Sequence, residues 1–103
     1  MSIILSVRLT EFRAASPVDR PQLARLVGAG RASLRRHPGC RRCEIYLDAE
    51  DQNALVAVEI WNDIRERRQA AAELSPETVR SALAIMVGEP RVRALTMAIE
   101  GDA

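Results

Sequence analysis

The sequence contains one histidine, His37, and it is the only side chain whose unperturbed pKa lies near neutrality. An imidazole of this kind can act as a general acid or base in catalysis. His37 also stands in "RRHPG", at the end of a predicted helix, where the helix dipole stabilises an imidazolium. His37 is therefore a candidate catalytic residue, and helix capping is the alternative role.

The segment "ALVAVEIWND", residues 54–63, places a carboxylate and the single tryptophan inside an apolar run. Trp61 could stack on a planar aromatic ligand and donate one N–H, which makes it a candidate substrate-binding residue, and a core position is the alternative. Glu59 could act as a general base if burial raised its pKa. An ion pair between Glu59 and Arg42, or a polar contact across a dimer, is the competing interpretation.

Two further features contain reactive or charged groups. Arg80 lies in a predicted helix and could bind a phenolate or carboxylate, unless it belongs to a solvated helix face. Cys40 and Cys43 form "CRRC", but this pair opens a predicted strand, where positions three apart point to opposite faces. Tetrahedral zinc would need two more ligands. Redox and metal chemistry are therefore not expected.

Length and composition predict one globular domain over residues 1–103. Hydrophobic residues make up 48% of the chain and charged residues 28%, with a net charge of +1. The near-neutral balance argues against a nucleic-acid partner, although all 15 cations are arginine, a bias typical of GC-rich bacterial genes. No apolar stretch approaches the ~18 residues of a membrane helix, and no signal peptide is recognisable. A cytoplasmic protein is expected.

Hydrophobic patterns predict the first strand, a helix and a hairpin. Residues 3–10 alternate in polarity, which indicates a half-buried strand. Asp19 and Gln22 form a possible capping box for a helix of about sixteen residues that ends at "HPG", 37–39. In that helix Arg31 is expected to face away from the apolar stripe. The strands "CRRCEIYLD" and "NALVAVEIW" then form an antiparallel hairpin with Leu47 opposite Ala54.

The C-terminal third predicts two short helices and a final strand. One helix begins near residue 63, and a second begins at Ser75 as N-cap with Pro76 in the first turn. The second helix is expected to bury four apolar residues, namely Val79, Ala82, Leu83 and Met86. The last strand is "VRALTMAIE", residues 92–100.

The resulting order, β-α-β-β-α(α)-β, is typical of an α+β, ferredoxin-like fold with a four-stranded antiparallel sheet. All helices can cover one face, which leaves the other face bare. The chosen register places several apolar side chains on this bare face: Ile4, Tyr46, Leu55, Trp61, Leu95, Met97 and Ile99. This is more apolar surface than a monomer usually exposes, so a homodimer is predicted.

The segment "HPGCRRCEIYLDAEDQNALVAVEIWND" resembles the signature of the antibiotic biosynthesis monooxygenase family, within the dimeric α+β barrel superfamily. The resemblance rests on a Pro-Gly-Cys turn, a Glu-x-Tyr strand and a Glu-x-Trp strand: Pro38, Gly39, Cys40, Glu44, Tyr46, Glu59 and Trp61. It implies a homodimer with an apolar pocket between sheet and helices in each subunit. It further implies oxidation of small aromatic or polyketide-like substrates without metal, flavin or any other cofactor.

Departures from the family pattern keep other functions open. Oxygenases of this family often carry asparagines near the tryptophan, and the comparable positions here are Ser6 and Ala57. Ser6 is kept as a candidate substrate-binding residue. Residues 62–74 contain no histidine, so haem degradation is not expected. A non-catalytic ligand-binding or accessory dimer and a cofactor-free cyclase or isomerase remain alternatives.

Overall fold

A computed structural model describes the backbone of residues 2–100 and the side chains of residues 4–98. It contains four strands and three helices in the expected order. The strands are β1 (Ser2–Arg13), β2 (Cys40–Leu47), β3 (Ala54–Trp61) and β4 (Arg91–Glu100). The helices are α1 (Arg20–Arg35), α2 (Ile64–Ala71) and α3 (Pro76–Ala84). None of these helices is long and apolar enough to cross a membrane.

The four strands form one antiparallel sheet with the order β2-β3-β1-β4. This is the predicted ferredoxin-like arrangement, and it is confirmed. The helices pack on one side of the sheet, which we call the covered face. We call the opposite side, which no helix covers in residues 2–100, the open face.

The hairpin register differs from the prediction by one residue. Leu47 lies opposite Leu55 rather than Ala54, and Cys43 lies opposite Glu59. Because side chains alternate along a strand, this one-residue shift moves every side chain of β3 to the face opposite to the predicted one. The covered face therefore carries Leu55, Ala57, Glu59 and Trp61, all of which are buried. The predicted pairing of Arg42 with Glu59 is wrong, because Arg42 lies on the open face and pairs with Glu44.

An irregularity in β2 corrects a second expectation. The register shifts between Cys40 and Arg42, so that Cys40 lies opposite Trp61 while Cys43 lies opposite Glu59. One extra residue in a strand reverses the alternation beyond it. Both cysteines consequently face the helices, and the prediction that they point to opposite faces is wrong.

Two clusters of buried residues form the core between the sheet and the helices. The first joins Leu23 and Val27 of α1 to Leu55 and Ala57 of β3. The second surrounds Trp61 with three buried residues: Leu34, Cys43 and Ala70. Trp61 is therefore the centre of a packed cluster, which agrees with the core alternative for this residue.

The helix N-termini agree with the sequence in one case and differ in another. Ser75 caps α3 as predicted, since its hydroxyl accepts a hydrogen bond from the Thr78 N–H at 3.3 Å. The capping box at α1 is wrong, because the Asp19 side chain caps no backbone N–H and instead accepts from the Ser16 hydroxyl. Asp63 caps α2 by accepting from the Arg65 N–H at 2.8 Å.

The open face carries a continuous set of partly exposed apolar side chains. Tyr46, Leu95 and Met97 lie there as expected, whereas Ile4, Leu55 and Trp61 alternate onto the covered face. The side chain of Ile99 lies outside the described residues. The register adds further partly exposed members to the open face: Val7, Leu9, Val56, Val58 and Ile60.

Candidate functional site

A cavity of about 640 Å³ lies between the covered face and the helices α1 and α3. Its apolar wall is formed by side chains from the sheet and from both helices: Phe12, Leu26, Val27, Val79, Leu83 and Met86. Ligand pockets usually have volumes of roughly 300–1,000 Å³ and mostly apolar walls with a few polar groups. The cavity has the size and wall chemistry for a small planar aromatic molecule.

Helix α3 forms one side of this cavity, and within the helix only Ala82 packs against the buried core. None of its residues is buried, and Val79 and Leu83 are 43% and 53% exposed. The expectation that α3 buries its apolar stripe is therefore wrong. These side chains line the cavity, and the space between α3 and the sheet leaves them accessible.

Polar groups from three elements line another part of the cavity. Arg8 and Thr10 are two residues apart on β1, so both project from the covered face. Arg31 reaches the cavity from α1, and Arg67 reaches it from α2. The cavity thus combines an apolar wall with guanidinium groups, an arrangement able to hold an anion or a developing negative charge.

Glu59 lies behind these arginines and connects them. Its side chain is 0% exposed, while those of Arg31 and Arg67 are 7% and 17% exposed. The Oε1 atom accepts hydrogen bonds from Trp61 Nε1 and Arg67 Nε, each at 3.0 Å. Oε2 lies 3.3 Å from an Nη atom of Arg31. Glu59 therefore holds two of the arginines in place and is itself oriented by the tryptophan.

The charges around Glu59 do not balance. Three guanidinium groups (Arg8, Arg31 and Arg67) surround one carboxylate, and arginine stays protonated in proteins. Burial and the neighbouring cations Arg67 and Arg31 lower the pKa of Arg8, and Glu59 opposes them only in part. The Arg31 guanidinium also lies 5.9 Å from the centre of the Phe12 ring. The site keeps an excess of positive charge.

Several buried polar atoms at this position have no hydrogen-bond partner among the described residues. They are Arg8 Nε, Thr10 Oγ1 and Arg31 Nε, together with Glu59 Oε2. Buried polar atoms are normally hydrogen-bonded, so each exception requires an explanation. Arg8, Thr10 and Arg31 all line the cavity, so their unpartnered atoms lie directly behind its surface.

The four site residues predicted from the sequence do not line this cavity. His37 Nδ1 accepts from the Gly39 N–H at 3.1 Å, and its ring lies 5.9 Å from that of Trp61. Arg80 is exposed on α3, and Trp61 is fully buried. Ser6 lies on β1 opposite Trp61 and Thr96. Their catalytic and binding roles stay predictions.

The arginines that do line the cavity were missed by the sequence interpretation. Arg31 was expected to face away, yet it is buried with Leu23, Val27 and Leu34 on one side of α1. The spacings of four, four and three residues place all of them on one helical stripe. This spacing is visible in the sequence. It indicates that Arg31 is buried, and a buried charge requires a partner of opposite charge.

The two cysteines lack the features of reactive thiols. Burial raises the pKa of Cys43 to about 12 and also raises that of Cys40. A thiol is a poor nucleophile and metal ligand unless it is deprotonated. In the part of the chain that the structure describes, no group of three or more metal-ligating side chains is found.

The sequence and the fold can be compared with those of known proteins. The sequence profile named antibiotic biosynthesis monooxygenase matches residues 7–76 of this chain. The chain belongs to the antibiotic biosynthesis monooxygenase family. The region matched to this family includes the signature turn and hairpin, Arg8, Arg31, Glu59 and Arg67, and ends where α3 begins.

Solved structures show the same fold. The Mycobacterium tuberculosis protein Rv0793 is 20% identical, with a TM-score of 0.74 over 96% of this chain and 97% of that one. A protein of Shewanella oneidensis is 17% identical, with a TM-score of 0.76 over 97% and 100%. An asparagine-to-alanine mutant of SnoaB, a cofactor-independent oxygenase from Streptomyces nogalater, is 16% identical, with a TM-score of 0.66 over 96% and 94%. No curated protein matches the chain.

Proposed function

We propose that the protein is a cofactor-independent monooxygenase, or a related tailoring enzyme, that acts on a small aromatic or polyketide-like substrate. The observation that carries this proposal is an apolar cavity that has guanidinium groups clustered in one part of its lining. Family membership and the fold shared with SnoaB support it. The aromatic body of the substrate would lie between Phe12 and α3.

The reaction requires a substrate that supplies its own electrons. Loss of a proton from an acidic CH₂ group gives a delocalised carbanion, which transfers one electron to O₂. The two radicals combine to a hydroperoxide, and loss of water breaks the O–O bond and forms a ketone. The balance is R–CH₂–R′ + O₂ → R–CO–R′ + H₂O, so one oxygen atom enters the product and the other leaves as water.

The protein would promote this reaction by stabilising the anion. The lining carboxylates Glu73 and Glu89 are exposed, and Glu59 does not line the cavity. None of the described lining residues is therefore a buried base. Cations close to a ligand oxygen lower the pKa of the ligand instead, so that water can remove the proton. Arg8, Arg31 and Arg67 would supply this stabilisation.

A second candidate function is a non-catalytic ligand-binding or accessory dimer. Ser6 does not line the cavity, and Ala57 is buried in the core and offers no polar atom. No amide thus takes the place of the family's asparagines at these positions. A third candidate, a cofactor-free cyclase or isomerase, would use the same cavity and the same stabilisation of an anion without consuming oxygen.

Oxygen uptake with a panel of anthrones and hydroquinones tests the oxygenase proposal. We expect about one O₂ consumed per CH₂ group oxidised. Arg8→Met should lower the turnover rate by roughly a hundredfold, as loss of one anion-stabilising donor typically does. Arg68→Met, an exposed neighbour of Arg67, is the matched control. Uptake no faster than without enzyme would contradict the proposal. Binding without turnover would favour the accessory dimer, and isomerisation under nitrogen would favour the third candidate.

We also propose that the chain, as one domain, forms a homodimer through its open face. The apolar side chains there are only partly covered, and they include Tyr46 and Leu95 at the surface. Large exposed apolar patches mark interaction sites, and a second copy related by a two-fold axis presents a matching patch. A cytoplasmic location and the lack of a nucleic-acid partner stay sequence-based predictions.

The dimer can be tested by light scattering coupled to size exclusion. The protein should run at twice its 11.4 kDa chain mass. Val58→Asp places a charge on the open face of β3 and should give monomers, whereas Val18→Asp in the exposed loop before α1 should not. A monomeric parent protein at micromolar concentration would refute the dimer.

A further inference from the structure

We propose that the cavity selects ligands that carry a fixed anionic group, most simply a carboxylate attached to a planar aromatic body. This inference rests on the proposed function for turnover, but ligand binding can be measured without it. It commits to one ligand chemistry, an aromatic acid. A neutral aromatic would leave the polar part of the cavity unpartnered.

Unpartnered hydrogen-bond donors lie together beside the cavity. Arg8 Nε and Arg31 Nε are buried N–H groups without partners, and both belong to cavity-lining side chains. The Thr10 hydroxyl beside them is equally buried and unpartnered. Arg31 is 93% buried in its side chain, since only 7% is exposed. A carboxylate is an acceptor with two oxygens, and a small movement of these side chains would let it accept from them together.

Positive charge exceeds negative charge around Glu59. Glu59 carries one negative charge, which balances only one of the three guanidinium charges. Its two close ionic partners are Arg31 and Arg67. Arg8 makes no ion pair with an acidic group in the described residues, although it lies near the other two cations. Buried charges are expensive unless they are paired. A bound monoanion would compensate Arg8 and reduce the repulsion among the arginines.

Among the described residues, no acidic group is placed to fill this role. Both acidic residues of the cavity lining, Glu73 and Glu89, are exposed. Glu59 Oε1 already accepts hydrogen bonds from Trp61 and Arg67, and Oε2 lies in an ion pair 3.3 Å from Arg31. The anion must therefore come from the ligand, whose aromatic part then lies against the apolar wall.

The test compares an anthracene carboxylate with its uncharged hydroxymethyl counterpart, using the anisotropy of the anthracene fluorescence. Neither compound has the acidic CH₂ group of an anthrone, so binding is measured without oxidation. We expect the carboxylate to bind at least about tenfold more tightly, as one well-placed charged hydrogen bond provides. Arg8→Met should abolish most of this preference, Arg8→Lys should retain part of it, and Arg68→Met should leave it unchanged.

Thr10→Val is a second variant with little risk for folding, because the hydroxyl that it removes has no hydrogen-bond partner among the described residues. We expect a loss of about threefold in carboxylate affinity and no loss for the neutral compound. Equal binding of the two anthracenes, absence of binding, or a preference that persists in Arg8→Met would overturn the inference. In those cases water alone satisfies the donors.

Turnover separates this inference from the proposed function. An anthrone carboxylate and the parent anthrone are compared for oxygen uptake. If both are oxidised with equal kcat/KM, the oxygenase proposal stands and the anion selectivity is refuted. If the carboxylate binds preferentially but neither compound is oxidised, the selectivity stands and the oxygenase proposal fails.

Discussion

The two faces of the sheet are incomplete in opposite ways. On the covered face one buried carboxylate stands among three arginines, so positive charge is in excess among the described residues. The open face holds partly exposed aliphatic and aromatic side chains and lacks an apolar surface to cover them. Hydrophobicity alone would have predicted the more apolar face to be covered by helices and the charged face to be exposed. The comparison teaches that register and ion pairing, not polarity, decide which side of this sheet becomes the interior.

The largest expected effect separates an aromatic residue of each face. Trp61→Ala should lower the free energy of unfolding by about 4–5 kcal/mol, because it opens a cavity in the core and removes a hydrogen bond to Glu59. Tyr46→Ala should have a smaller effect that depends on protein concentration, since only a second copy would cover this residue. Urea denaturation at two protein concentrations measures both. A loss for Trp61→Ala that varies with concentration would break the comparison.

The second prediction compares a carboxylate of each face. Glu59→Gln keeps the shape of the side chain but leaves Arg31 and Arg67 without their counter-charge, so it should destabilise the fold by about 3 kcal/mol. Glu44→Gln removes an ion pair with Arg42 at the surface and should change stability by less than ~1 kcal/mol. Chemical denaturation of the two variants decides the matter. Similar losses would show that the buried ion cluster adds no stability.

The third prediction concerns the pH dependence of the covered face. Burial raises the pKa of Cys43 to about 12, whereas a thiol in the unfolded chain titrates near about 8.5. Above about pH 8.5 the unfolded chain binds fewer protons at this position than the folded one, so stability falls as pH rises towards about 12.

Cys43→Ala removes this group and should flatten the alkaline decline, which denaturation series between about pH 8 and about pH 10 can measure. Only the slope is compared, because the variant also loses packing. An unchanged slope would mean that Cys43 does not ionise on unfolding in this range, and that the face is less protected from water than its burial indicates.

The smallest expected effect concerns the helix that covers the face. A Cβ at Gly28 would lie 3.7 Å from Ile45, an ordinary contact, so Gly28→Ala should stabilise α1 by about 0.5–1 kcal/mol. The space beside Gly28 therefore does not require a glycine. Gly88 has a φ of 69°, and Gly88→Ala should destabilise by about 1 kcal/mol. Thermal unfolding of both variants tests the opposite signs.

The order of elements could be predicted because each has a local signal. Alternation marks β1, and the 3.6-residue period with "HPG" at its end marks α1 within one residue of its observed length. The β2–β3 register could not be predicted in the same way. Both sides of β3 are apolar except for Glu59, so alternation does not show which side faces the helices. The loop from Asp48 to Asn53 also allows more than one pairing of the strands.

The candidate site was harder to predict, because its members come from distant segments. Arg8, Arg31 and Arg67 belong to three elements, and only the folded sheet brings them to Glu59. The position of Arg31 on the apolar stripe of α1 was a readable signal. His37 and Arg80 were predicted from their side-chain chemistry alone. In the fold, His37 accepts a hydrogen bond from the Gly39 backbone, and Arg80 is exposed at the surface.

The exposure of helix α3 determines which substitutions can alter the cavity. Because α3 contributes Val79 and Leu83 to the cavity without burying any residue, substitutions there reshape the bound ligand's surroundings at little expense in folding. The residues that maintain the fold and those that select the ligand's shape are largely separate. A library that varies only this nine-residue helix is therefore the natural starting point for redirecting the protein to new aromatic compounds.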